Sequence, residues 1–132
     1  MSLFSSATLS SLTAQTHSLA VSAANVANVR SLGVRPDGAP QDPPGFQPQR
    51  VVQISGPAGT VLSKAAPISP PSILVFDPNN PAADSEGLVA LPNVSLEEEF
   101  VVQLQAKTAY KANLAALKTQ EEVLGSLLDV AS

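Results

Sequence analysis

Near the start of the chain, apolar residues recur every seven positions at Leu12, Leu19 and Val26, with Leu9, Thr16 and Ala23 three before each. That spacing describes the narrow seam of a coiled coil rather than the broad face of a globular helix. It predicts one helix from about Leu3 to Val29. The helix is rich in Ser, Thr and Asn, which are poor helix formers, so little of it should form in isolation. A second pattern opens at Ser95, where Glu98 follows three residues on as a capping box. Glu97, Glu98 and Glu99 fall at the positive end of the helix dipole. From there to about Leu128 the helix spans roughly 50 Å at 1.5 Å per residue. Leu96, Phe100, Tyr110, Leu114, Leu117, Leu124 and Leu128 lie near one face, and Gln103, Lys107 and Glu121 interrupt it. Polar seam residues weaken a coiled coil but fix its register.

Between these helices the pattern changes. All 12 prolines lie between Pro36 and Pro92, and proline breaks a helix interior at about 3 kcal/mol. The chain therefore divides into a terminal helix (1–34), a Pro-rich insert (35–93) and a second terminal helix (94–132). Pro36 to Pro48 reads as an exposed extended loop. Arg50–Ile54, Ser72–Phe76 and Leu88–Leu91 are short strand candidates, and Asp77–Pro81 is dense turn chemistry. Any sheet these strands build is small. The expected fold is mainly α, with the two long helices forming a coiled-coil core around a small irregular or β insert.

Composition sharpens this picture. The chain is 44% hydrophobic but only 4% aromatic and 14% charged, against about 25% charged in average proteins. Its 132 residues suit one modest domain. A net charge of −4 with 7 Lys+Arg leaves no basic patch and argues against nucleic-acid binding. The absence of Cys removes disulfides and thiolate chemistry. Polar residues break up the N-terminal segment too often for a secretory signal or a transmembrane helix. The first charged side chain is Arg30. A charge-free helix is unusual against water, where Lys, Arg, Glu and Asp normally mix, and it suits packing against copies of itself or close relatives. This points to a subunit of an assembly whose ends fold on incorporation.

Candidate chemistry is sparse. His17 is the only histidine, and with no carboxylate within 12 residues it reads as a packed or solvated helical residue rather than a base or ligand. The Glu97–Glu99 run is explained by capping. Asp77, Asn79, Asp84 and Glu86 resemble calcium ligands, but Pro81 occupies the third oxygen position of an EF-hand and the residues read as turn formers. No cofactor, metal or catalytic residue is expected. Tyr110 and Asn113 read as assembly contacts. Asn25 and Asn28, at a helix end, either satisfy backbone groups or pack against a neighbour.

Particular residues carry a family resemblance. Leu12-Thr13-Ala14-Gln15, Leu19, Val21, Ala24 and Asn25-Val26-Ala27-Asn28 resemble the N-terminal signature of bacterial flagellar rod and hook proteins. Ala109-Tyr110-Lys111-Ala112-Asn113 is similar to their C-terminal Ala-Tyr-x-Ala-Asn. Phe76-Asp77-Pro78-Asn79-Asn80-Pro81 through Val94 is similar to the stretch that marks proximal-rod members. The chain departs from the pattern in having Ser11 for a usual Gly and Leu88 and Leu91 for tyrosines.

The resemblance implies a structural role with no chemistry. Such proteins are exported unfolded by the flagellar type III apparatus without a cleaved signal. They polymerise helically into the periplasmic rod that transmits motor torque, with terminal helices inside and the middle outside. Partners are then copies of the chain, other rod proteins and the export apparatus. Basal-body rings and peptidoglycan are further neighbours it leaves open. The expected assembly contacts are Leu12, Gln15, Leu19, Asn25, Val26, Asn28, Phe100, Tyr110, Asn113, Leu114, Leu117 and Leu124. The alternative is a soluble helical-hairpin adaptor or export chaperone, folded on its own; a hydrolase lacks any nucleophile motif.

Overall fold

The computed structural model describes residues 2–131. Helix α1 (Ser2–Asn28) is followed by strands β1 (Gln49–Ser55), β2 (Val61–Pro67), β3 (Ser72–Phe76) and β4 (Leu88–Pro92), and then by helix α2 (Leu96–Ala131). β1 and β2 form one antiparallel hairpin, and β3 and β4 form another. The two sheets are separate.

This corrects the expected architecture. About 49% of the chain is helical and 21% is strand, so the fold is an α/β mix, not a mainly α protein with a long coiled-coil core. Two physical reasons account for the difference. First, α1 divides its packing between α2 and the β1–β2 hairpin. Its most buried positions are therefore Thr8, Ala14, Ser22 and Asn25, not the heptad leucines. Second, most of the apolar seam expected on α2 faces solvent: Leu96, Phe100, Tyr110, Leu114 and Leu128 are exposed, and only Leu117 and Leu124 are half-buried. The buried residues of α2 are Glu99 and Ala106.

Local chemistry explains the element ends. The Ser95 hydroxyl accepts the Glu98 N–H (3.3 Å), which caps α2. At the end of α1, Asn28 donates its side-chain amide back to the Ala24 carbonyl (2.8 Å), and the Ser31 N–H and hydroxyl both reach the Asn28 carbonyl (3.0 and 2.8 Å). The chain then runs along the β3–β4 hairpin: the Gly33 N–H donates to the Ala90 carbonyl (2.9 Å) and the Phe46 N–H to the Leu32 carbonyl (2.6 Å). A Cβ on Gly33 would meet the Leu91 carbonyl carbon at 2.6 Å, and one on Gly45 would collide with the Gly33 backbone. Three backbone segments meet there at a spacing only glycine allows.

The four strands include one not expected from the sequence, β2. The Asp77–Pro81 segment forms the turn between β3 and β4, closed by Asn80 N–H to Asp77 carbonyl (3.1 Å) and Asp77 N–H to Gly87 carbonyl (2.9 Å).

Candidate assembly surface

The interior of the helical layer is a polar junction. Asn25, 1% exposed, donates its side-chain amide to the Gln49 carbonyl and to Glu99 Oε1 (2.6 Å each) and accepts the Gln49 N–H (3.1 Å). One side chain thus ties α1 to the start of β1 and to the first turn of α2. Beside it, the Ser22 hydroxyl donates to the Glu99 carbonyl (3.3 Å) and accepts from Gln103 Nε2 (3.1 Å). Ser22, Asn25 and Glu99 are buried, and such groups are tolerated because they satisfy one another. Pairing of Asn25 and Ser22 with Glu99 and Gln103 sets the two helices antiparallel.

Earlier along α1, the Ser10 hydroxyl accepts the Val61 N–H (3.0 Å) and, near the helix midpoint, His17 Nδ1 lies 2.9 Å from the Ser63 hydroxyl. His17 therefore anchors the second hairpin strand. No group of three His, Cys, Asp or Glu able to hold a metal ion occurs among the described residues. The same residues contain no helix long and apolar enough to cross a membrane.

The expected contact residues fall into three sets. Asn25 is buried within the chain, and Asn28 is engaged by the backbone of its own helix. Leu12, Gln15, Leu19, Val26, Asn113, Leu117 and Leu124 are half-buried along the helical layer. Phe100 (68% exposed), Tyr110 and Leu114 face outward. Leu19 and Phe100 come together, with Leu104 and Lys107, in a shallow groove of about 330 Å³. Sequence reasoning missed Ser22, Gln49 and Glu99; only the burial of Asn25 identifies them.

On α2 the uncovered apolar residues form two stripes. At 100° per residue, Leu96, Phe100, Leu104 and Leu114 fall on one flank, whereas Val101, Val123, Leu127 and Val130 fall on the opposite one. The accessible surface is 8827 Å². A folded monomer of 13.5 kDa exposes about 6,500 Å². The fully buried hydrophobic residues among those described are only Ala14, Val89 and Ala106. The surface is larger than that of a globular monomer of this mass, and large apolar side chains on both helices and in the hairpins are part of it.

Comparison with known proteins defines the class further. Residues 85–130 match the family model described as flagellar basal body rod FlgEFG protein C-terminal. The chain is 36% identical over 121 residues to the flagellar basal-body rod protein FlgC of Escherichia coli O6:H1, covering 87% of this chain and 86% of that one. It is 36% identical over 116 residues to the protein of the same name from Yersinia enterocolitica, with the same coverage. It is 29% identical over 130 residues to that of Agrobacterium fabrum, covering 92% and 88%. The class is thus that of flagellar basal-body rod proteins. Within it, the chain belongs to the flagellar basal-body rod protein FlgC family.

Proposed function

We propose that this chain is a structural subunit of the flagellar rod that polymerises helically with copies of itself and with other rod proteins, so that the rod transmits motor torque across the periplasm. It reaches that place through the flagellar export apparatus without a cleaved signal. It performs no catalysis, and its mechanism is rigidity. The observation that carries this reading is the pair of uncovered apolar stripes on opposite flanks of α2 in a chain related over most of its length to rod proteins. Stripes on two flanks admit neighbours on two sides, as an open helical array requires. Ring components and peptidoglycan lie within reach of the insert in such an arrangement.

The test is genetic. In the source bacterium, deletion of the gene abolishes swimming and the wild-type gene restores it. Leu114→Asp puts a charge on an exposed stripe, where it costs the isolated chain little. This variant is expressed at the normal level and does not restore swimming. Full swimming with Leu114→Asp contradicts the proposed packing surface.

A further inference from the structure

Each hairpin leaves a strand edge open, and the open edge of β1 matches that of β3. In the β1–β2 ladder the even-numbered residues of β1 face β2, because the ladder is closed by Ile68 N–H to Pro48 carbonyl (2.9 Å) and Gly56 N–H to Thr60 carbonyl (2.7 Å). The N–H and C=O groups of the odd residues, Gln49, Val51 and Gln53, therefore point outward. Asn25 already occupies the Gln49 position, meeting both backbone groups with a side-chain amide as a neighbouring strand would. The next two positions, Val51 and Gln53, have no such partner among the described residues. They border a groove of about 370 Å³ between α1, β1 and α2, with Val21, Val102 and Ala106 in its walls.

The second hairpin supplies the complementary edge. Its ladder is closed by Asp77 N–H to Gly87 carbonyl and Asn93 N–H to Pro71 carbonyl (2.9 and 3.0 Å), so the outward residues of β3 are Ser72, Leu74 and Phe76. The far edge of β4 is taken: Gly33 binds the Ala90 carbonyl, and Asp84 binds both backbone groups of Leu88. Ser72, at the start of β3, is buried with its hydroxyl on the Val34 carbonyl (2.6 Å); beyond it β3 has no such cover among the described residues, and Ile73, Leu74, Val75 and Phe76 are all exposed. An apolar strand with a free edge is a template for pairing with another chain unless something covers it.

We propose that β3 of one copy adds antiparallel to β1 of the next. This rests on the reading of the chain as an assembly subunit. In the register Gln53 opposite Leu74 and Val51 opposite Phe76, the outward backbone groups of these four residues meet one another, and the ladder begun by Asn25 continues. The outer face then pairs Val52 with Val75 and Ile54 with Ile73, all exposed apolar residues in the single chain. Leu74 and Phe76 turn toward the groove. The contact joins two different edges, so the copy that gives β3 keeps its β1 free, its neighbour keeps its β3 free, and further copies can add at both ends. The occupant is a second copy because the only other requirement, an uncharged apolar edge strand of this length, is met within this chain by β3. The surplus surface of about 2,300 Å² over a globular monomer leaves room for this contact, since a standard interface takes about 800 Å² from each partner.

The test places the photo-crosslinking residue benzoylphenylalanine at Gln53 in flagellated cells, isolates hook–basal bodies after irradiation, and identifies the linked peptide by mass spectrometry. The expected product has twice the chain's mass and joins position 53 to residues 72–76. A link to another rod protein or to another segment of this chain overturns the proposal, and so does the absence of any link in basal bodies that contain the variant. In these cases the subunit reading stands. Absence of the unmodified chain from basal bodies defeats the subunit reading itself. Val51→Pro serves as a second variant. It removes an N–H that points away from β2, so the hairpin is kept. Its expected outcome is an unchanged circular-dichroism spectrum and loss of incorporation into basal bodies; normal incorporation overturns the proposal.

Discussion

At the residue scale, Asn25 does the work of a short strand. Its amide meets the N–H and C=O of Gln49 and reaches Glu99 as well, all inside the chain. Asn25→Leu takes this partner from the part-buried Gln49 backbone groups and from the buried Glu99 carboxyl group. A loss of about 1–3 kcal/mol in unfolding free energy is expected, measured by denaturant titration of the purified chain. A loss near zero contradicts the junction. Asp37 gives a second, independent check. The Arg35 guanidinium beside it (2.7 Å), and then the Ala39 N–H, hold its carboxyl down at about 2, from an ordinary 3.8. Because the folded value is depressed, the pair's contribution is present above the ordinary value and is lost as pH falls toward 2. An NMR titration of the Asp37 carboxyl carbon should show its midpoint near 2; a midpoint at the ordinary value means the loop is not held as described.

At the scale of elements, strands β1, β3 and β4 and both helices were legible because each carries a local signal: a β-branched run, a turn cluster, a cap. Strand β2 was not. Its Lys64-Ala65-Ala66-Pro67 has weak strand propensity, and its conformation comes from pairing with β1 and from Ser10 and His17 on α1. The face of α2 was also illegible. Heptad spacing picked out leucines, but burial of Glu99 and Ala106 follows from small and polar partners on α1, chiefly Ser22 and Asn25. Periodicity shows that a helix has a stripe and does not say whether that stripe is covered by its own chain or by a neighbour. The distinction matters for Leu114→Asp, which should spare the isolated chain and disable the assembled one.

At the scale of the whole molecule, the surface exceeds that of a globular monomer of the same mass and carries many large apolar side chains. An α1 without formal charge, a 36-residue α2 bearing stripes on two flanks and two hairpins with free edges all leave binding capacity unused. Membership of the FlgC family gives that capacity a destination. The most direct test of the account is quantitative mass spectrometry of hook–basal bodies purified from the source organism. A rod subunit is present there and stays bound through detergent and alkaline washes. Its absence from intact basal bodies would contradict the account and leave a free-standing adaptor as the function.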